Sequence, residues 1–347
     1  MEEVVINQPL PIVLLLFTGS LLIVMVASAW FTRRLESICD VLDLPPSLLS
    51  LLGALGANIP NYAASTVAIA GGHLDVGLGI IIGSNIYNIA IILSIATFAT
   101  PKRHGIALTV KERQDVRIVA GYTLAIMLTI LLGMWLLPGT PLVIGLHMPL
   151  LASILLIVAA VLTLSLFAAL AFHALTSRGG GRGGEDEENQ STTKDTYNAA
   201  ILRWIGEGLL ALIIALGGVV VMVQSGQALA IDLRISQVLA GLLILAVATS
   251  LPNTVVAFGL ARTDRETACV EEIFSSNSIN ASLGIALPLL FWHDMLYDRL
   301  LLLLDTPLMV LLTLAALFLV FRRRVSRTAA LLLLLVYGAW VVVHVFL

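Results

Sequence analysis

Two stretches of the sequence repeat each other at a fixed distance, and they decide the fold. The first reads Gly53-Ala54-Leu55-Gly56-Ala57-Asn58-Ile59-Pro60-Asn61 and resumes at Gly83-Ser84-Asn85-Ile86-Tyr87-Asn88. The second reads Leu245-Ala246-Val247-Ala248-Thr249-Ser250-Leu251-Pro252-Asn253 and resumes at Ser275-Ser276-Asn277-Ser278-Ile279-Asn280. Seven residues recur unchanged at an offset of 192, namely Ala54, Pro60, Asn61, Ile81, Ser84, Asn85 and Asn88. Seven matches at one offset indicate an internal repeat.

The composition identifies the surroundings of the chain. Of its 347 residues, 59% are hydrophobic and 12% are charged, whereas soluble domains have about 45–50% and about 25%. So few charges cannot cover a soluble protein of this size, which excludes a soluble enzyme, a nucleic-acid binder and a disordered scaffold. The net charge of −3 favours no particular partner. The sequence therefore predicts an integral membrane protein that lies in a lipid bilayer.

The apolar segments predict the fold class. Ten stretches reach the length of about 20 residues that a helix needs to cross a bilayer. They lie roughly at 10–31, 46–70, 74–99, 115–137, 145–175, 204–227, 236–261, 268–291, 300–321 and 328–347. We predict an all-α membrane fold of ten transmembrane helices in two five-helix repeats. Since five is odd, the second repeat is inverted, as in secondary transporters.

The predicted repeats, at 1–176 and 200–347, are joined by a linker at 177–199. This linker is rich in glycine and then acidic, a composition that cannot bury a core and predicts a flexible segment. A calcium site in the acidic run 185–188 is an alternative, but a solvated tether is favoured because glycine imposes no coordination geometry. All lysines and arginines except Arg234 and Arg299 fall on one side of the spans. This distribution predicts a cytoplasmic linker and outward-facing termini in the cell membrane.

The repeated polar residues are predicted to form an ion site near the midplane. Residues three or four apart, such as Asn58 with Asn61 and Ser84 with Asn88, share one helix face. Pro60 and Pro252 lack a backbone donor and leave a carbonyl unpaired in the membrane. Such neutral oxygens suit a hard cation such as sodium or calcium, although isolated Ser and Asn residues often only join helices. The predicted ligands are Asn58, Asn61, Ser84, Asn88, Thr249, Ser250, Asn253, Ser276 and Asn280.

At these residues the sequence resembles the sodium/calcium exchanger family of the calcium/cation antiporter superfamily. That family has two inverted five-helix repeats, a cytoplasmic linker, and in each repeat Gly-Thr-Ser-x-Pro-Glu followed by Gly-Ser-Asn-x-x-Asn or Asp. The resemblance implies cation antiport. It implies calcium-ligand positions at Asn61 and Asn253, where the family has Glu, and sodium-ligand positions at Ser84 and Ser276. It also implies ligand positions at Ala57, Asn58, Thr249, Ser250, Asn88 and Asn280.

The sequence departs from the family at its acidic positions. With Asn61 and Asn253 in place of both motif Glu residues, the predicted core has no formal charge. An uncharged, dry site binds a divalent cation poorly because nothing offsets the lost hydration, and amides exchange no protons. Glu272 is a possible accessory carboxylate on the face of Ser276, but the favoured interpretation places it at the cytoplasmic mouth, reaching water. Asp305 is interpreted as part of a helix start.

The predicted function is therefore secondary active cation antiport by alternating access. Sodium is the favoured ion, calcium is implied by the resemblance, and potassium or another monovalent ion stays open, as does the oligomeric state. No cofactor is expected beyond the transported cations. A family member that has lost transport and acts as a regulatory or assembly partner is the alternative. An enzyme is not expected, because the spans contain no nucleophile–base pair or metal-ligand motif.

Overall fold

The computed structural model describes residues 8–42, 46–176, 191–292 and 294–346, most of them helical. The helices are α1 (Leu10–Val41), α2 in two segments (Pro46–Ala57 and Ile59–Ala70), α3 (Leu74–Ala99), α4 (Val110–Met134), α5 (Pro149–Thr176), α6 (Ser191–Asp232), α7 (Gln237–Arg262), α8 (266–289), α9 (Leu301–Phe321) and α10 (Arg327–Phe346). A short helix, Pro141–Leu146, precedes α5. Two short strands, β1 (Ile106–Ala107) and β2 (Arg324–Val325), pair in antiparallel fashion.

Eight helices in the described part of the chain are long and apolar enough to cross a membrane: α1, α3 to α7, α9 and α10. This finding agrees with the predicted all-α membrane fold. The remaining predicted spans, 46–70 and 268–291, correspond to α2 and α8. An interruption at Asn58 leaves two α2 segments of 12 residues each, and α8 carries Glu266, Glu271 and Glu272. Each α2 segment is therefore shorter than a membrane span, and α8 is set apart by its three carboxylates.

Part of the predicted linker is helical in the structure. Of the predicted linker 177–199, residues 177–190 lie outside the described residues, whereas residues 191–199 form the first turns of α6. The linker glycines end at Gly184, and the stretch from Ser191 onward contains neither glycine nor proline until well inside α6. Nothing in residues 191–199 therefore breaks a helix.

Helix α3 lies at the centre of the bundle. In the most apolar 18-residue stretch of α3, 94% of the residues are buried inside the protein, whereas in that of α10 the share is 17%. Glycines allow α3 and α7 to approach closely, because a Cβ atom at Gly83 would lie 2.2 Å from the carbonyl oxygen of Leu242. A Cβ atom at Gly241 would likewise lie 2.7 Å from the carbonyl oxygen of Val76. Small residues serve this purpose in membrane helices, where close backbone approach provides much of the packing.

The two halves of the chain meet where α3 contacts α8, through four asparagines. The Asn277 amide donates to the backbone carbonyl of Asn85 (3.2 Å), and the Asn85 amide donates to the backbone carbonyl of Asn277 (3.5 Å). Asn88 Nδ2 donates to Asn277 Oδ1 (2.8 Å), and Asn280 Nδ2 donates to Asn85 Oδ1 (3.1 Å). Each bond is the counterpart of another at the offset of 192. We call these four residues the asparagine bridge. Its hydrogen bonds occur in matching pairs, one from each half, as expected of two related repeats.

The loop between α3 and α4 covers the beginning of α8. The buried Glu266 carboxylate, on the first turn of α8, accepts hydrogen bonds from Lys102 Nζ (2.8 Å) and from the backbone N–H of Ala107 (3.0 Å). The hydrogen bond to Glu266 raises the pKa of the Lys102 ammonium. The same loop pairs with the α9–α10 connection through β1 and β2. The first turns of α8 are therefore enclosed by protein.

Candidate cation site

The interruption of α2 places Asn58 at the centre of a buried polar cluster. Pro60 follows two residues later, at the beginning of the second segment, where a proline requires no backbone donor. The Asn58 side chain is fully buried, and its Nδ2 donates to the carbonyl of Ala54 (2.7 Å) and to Ser276 Oγ on α8 (2.7 Å). This amide therefore joins the broken helix of the first half to a repeated serine of the second.

The two asparagines that replace the family's glutamates converge on one oxygen. Asn58 Oδ1 accepts hydrogen bonds from Asn61 Nδ2 (3.0 Å) and from Asn253 Nδ2 on α7 (2.7 Å). Asn61 Oδ1 in turn lies 3.3 Å from Ser84 Oγ on α3, which also donates to the carbonyl of Ala246 (3.3 Å). The structure thus brings together α2, α3, α7 and α8, as the repeat pattern predicts for the site. Asn61 of the first half and Asn253 of the second therefore share one acceptor oxygen.

Glu272 belongs to this cluster, so the expectation that its carboxylate reaches water is not met in the structure. Its side chain is 5% exposed, and Ser276 Oγ donates to its Oε1 (2.8 Å). Ser276 Oγ also accepts a hydrogen bond from Asn58, so Glu272 faces the polar cluster between α2 and α8. Among the described residues, the cluster around Asn58 therefore contains one carboxylate that can carry a formal charge.

The remaining predicted ligands are Asn88, Asn280, Thr249 and Ser250. Asn88 and Asn280 are members of the asparagine bridge, and a π-helical turn, a feature frequent at functional sites, begins at Asn88 in α3. Thr249 donates to the carbonyl of Leu245 on its own helix (2.7 Å), so its hydroxyl supports α7. Ser250 Oγ is buried without a protein partner. The list of ligands predicted from the sequence omits Asn85 and Asn277, although both recur at the offset of 192 and bond to Asn280 and Asn88.

Several oxygens of the predicted site lack a hydrogen-bond donor. A buried acceptor without a partner is unfavourable by about 1–3 kcal/mol, so a group of such acceptors indicates a binding site for a ligand that would contact them. A hard cation is bound by hydroxyl, amide carbonyl and carboxylate oxygens, which is the set present here. Among the described residues, the unpartnered site atoms are Asn88 Oδ1, Ser250 Oγ, Asn253 Oδ1, Glu272 Oε2 and Asn280 Oδ1.

A second buried polar cluster, which the sequence did not predict, joins α9 to α10. Asp305 is fully buried in a π-helical turn, and its Oδ1 lies 2.7 Å from Trp340 Nε1 and 2.7 Å from His344 Nε2. The interpretation of Asp305 as a simple helix start is therefore incomplete. Its carboxylate fixes α10, because the indole and imidazole donors both lie on that helix.

Comparisons with known proteins agree with this architecture. The family model described as sodium/calcium exchanger protein matches residues 12–176 and 205–346. The inner membrane protein YrbG of Escherichia coli (strain K12) is 26% identical over 277 residues, which cover 80% of this chain and 78% of YrbG. CaxA of Alkalimonas amylolytica is 37% identical over 75 residues, which are 22% of this chain and 23% of CaxA. The fold resembles that of the sodium-calcium exchanger NCX_Mj, with a TM-score of 0.63 and 19% identity over 95% of this chain and 98% of NCX_Mj.

The fold and the family match define the class of protein: a multi-pass membrane protein that is a cation antiporter. The family model covers both halves of the chain on either side of residues 177–204. The chain belongs to the sodium/calcium exchanger family. The resemblance to the family's motif implies carboxylates at the positions of Asn61 and Asn253, where this chain has amides.

Proposed function

We propose that this antiporter moves a monovalent cation, with sodium as the first candidate, through the cluster around Asn58. The supporting observation is the set of five buried, unpartnered oxygens of the predicted site; among the described residues, one of these five, Glu272 Oε2, belongs to a carboxylate. A hard cation entering this cluster would find neutral oxygen ligands from four helices. The proposed ligands are those of the repeat motifs together with Glu272.

The charge of the site favours a monovalent cation over a divalent one. Removing an ion from water is unfavourable by several kcal/mol even after the protein relaxes, and this cost must be offset by nearby opposite charge. A single carboxylate neutralises sodium fully but leaves calcium with an uncompensated positive charge. Because Asn61 and Asn253 are amides, they add dipoles but no charge. Glu272 is also the one side chain in the cluster that can exchange a proton.

Isotope flux through the purified protein tests this proposal. In proteoliposomes loaded with sodium, we expect uptake of labelled sodium by exchange, and little uptake of labelled calcium. Gradients of sodium, calcium, potassium and protons are imposed in turn, and protein-free liposomes are the control. Calcium uptake as fast as sodium uptake would contradict the proposed selectivity. A correctly folded protein that moves none of these ions would instead be a transport-inactive partner protein.

We further propose the sidedness that the basic residues predict: repeats at 1–176 and 200–347, outward-facing termini and a cytoplasmic linker. In a Cys39→Ser background, Glu185→Cys should resist an impermeant thiol reagent in intact cells and react after permeabilisation. Asp294→Cys, in the exposed connection between α8 and α9, should react in intact cells and is the matched control. Cys269 is buried and gives little background. Labelling of residue 185 from outside would reverse the proposed orientation.

A further inference from the structure

A groove of about 430 Å³ lies between the beginning of α4 and the end of α9. Its polar lining comes from Arg113, Gln114 and Arg117 of α4, and its apolar lining includes Ile118, Leu317 and Phe321. None of the residues that line the groove belongs to the cluster around Asn58 or to the asparagine bridge. Its lining combines two guanidinium groups with an apolar wall.

Both arginines are held in place by the last residue of α9. The Arg117 guanidinium lies 3.9 Å from the centre of the Phe321 ring, a cation–π arrangement. Arg113 Nη1 donates to the carbonyl of Phe321 (3.4 Å), one of the carbonyls that a helix end leaves without an intrahelical partner. Arg113 Nε is buried without any partner. The two guanidiniums are therefore oriented, but most of their donors remain available.

The charge of this region is not compensated by protein. Among the described residues, neither Arg113 nor Arg117 forms an ion pair. Of the carboxylates on the same helix, Glu112 caps the beginning of α4 through Thr109, and Asp115 lies near enough to Glu271 of α8 for the two like charges to repel each other. Three more arginines follow α9 directly, Arg322, Arg323 and Arg324. The groove therefore concentrates positive charge at one end of the membrane helices.

The apolar wall continues outside the groove along α9. Leu314 is 48% exposed and Phe318 is 54% exposed, and both belong to a helix long and apolar enough to span the membrane. The Arg322 guanidinium lies 5.0 Å from the centre of the Phe318 ring. A small anion would contact only the arginines, whereas an amphipathic molecule would contact the arginines and this wall together.

We propose that the groove binds an anionic phospholipid, with its phosphodiester on Arg113 and Arg117 and an acyl chain along Leu317 and Leu314. Arginine suits this role because its planar group donates two parallel hydrogen bonds to a phosphate. Basic pockets between membrane helices are known to accept the headgroups of anionic lipids. The α4–α9 contact would then be reinforced by lipid, independently of the ion that the transporter carries.

Lipid titration of the purified protein tests this proposal. Phosphatidylglycerol is titrated into the detergent-solubilised chain and bound lipid is counted by native mass spectrometry, with phosphatidylcholine as the uncharged comparison. We expect the wild type to prefer phosphatidylglycerol. Since each basic residue near a membrane surface contributes about 1 kcal/mol, Arg113→Gln with Arg117→Gln should weaken its binding about thirtyfold.

The matched control is Arg262→Gln. Arg262 also stacks on a phenylalanine of its own helix, Phe258 at 5.7 Å, but does not line the groove. It should leave phosphatidylglycerol binding unchanged. Three results would overturn the proposal: no preference of the wild type for the anionic lipid, equal losses in both variants, or displacement of the lipid by inorganic phosphate alone. A wild type without a preference for phosphatidylglycerol overturns the proposal even if the double variant fails to fold.

Discussion

Replacing Glu272 by glutamine is expected to remove most of the cation affinity and the transport of this protein. The change keeps the size of the side chain and can still accept the hydrogen bond from Ser276, but it removes the one formal charge of the cluster. Opposite charges about 4 Å apart interact by about 4 kcal/mol at an effective dielectric constant near 20. Even half of that interaction corresponds to a loss of about thirtyfold or more in sodium affinity.

The measurement is sodium binding to the purified protein by calorimetry, together with isotope exchange in proteoliposomes. Glu207→Gln is the matched control, because Glu207 is also a carboxylate on a membrane helix. It pairs with Arg34 (2.6 Å) and Arg203 (2.8 Å), and it is not one of the described residues that form the cluster around Asn58. We expect this control to exchange sodium at the wild-type rate. Full exchange by a folded Glu272→Gln variant would show that the ion does not pass this carboxylate.

Introducing glutamates at the two amide positions, Asn61→Glu with Asn253→Glu, is expected to create calcium affinity. Both asparagines currently donate to Asn58 Oδ1, and carboxylates cannot donate, so the empty variant places repelling oxygens around one carbonyl. A divalent ion relieves that repulsion. With Glu272 the variant would offer three carboxylates, and each gain of 1.4 kcal/mol strengthens calcium binding about tenfold.

Calcium titration of the wild type and the double variant at two pH values tests this expectation. Calcium should bind the variant at least about a hundredfold more tightly than the wild type, given Coulomb energies of about 4 kcal/mol per close pair. Binding should weaken at the lower pH, because protons compete with calcium for the carboxylates. Calcium should also raise the melting temperature of the variant more than that of the wild type. Equally weak binding by a folded variant would mean that these side chains do not face the ion, whereas tight wild-type binding would mean that Glu272 already suffices.

The repeat pattern predicted that these polar side chains lie together, because it reports residue type and helix face at once. Asn58, Asn61, Ser84, Asn253 and Ser276 form one hydrogen-bonded cluster, and its role as an ion site stays a prediction. Features that depend on how separate elements pack were not accessible from the pattern. The burial of Glu272 depends on how α8 packs against α2, because Ser276 joins Glu272 to Asn58. Likewise, the bonds of Asp305 depend on the rotation of α10.

Helix boundaries were predicted with uneven success for a related reason. Pro60 indicated an interruption in α2, and the helix is broken two residues before it, at Asn58. The matching Pro252 lies inside an uninterrupted helical segment, Ala246–Arg262. One missing donor is compatible with either outcome, and the surrounding contacts decide between them. Sequence alone cannot supply those contacts.

This difference between α2 and α7 has a consequence for the transport cycle. Two copies of one motif, inserted in opposite senses, hold different conformations, so the arrangement has a counterpart in which the two conformations are exchanged. That counterpart would open towards the opposite face of the bilayer. The free-energy gap between the two states is then set by positions where the copies differ, above all Asn58 against Ser250 and Glu272 against Ile80. A preference for the state open to one face of the bilayer would then depend on the positions at which the two halves differ.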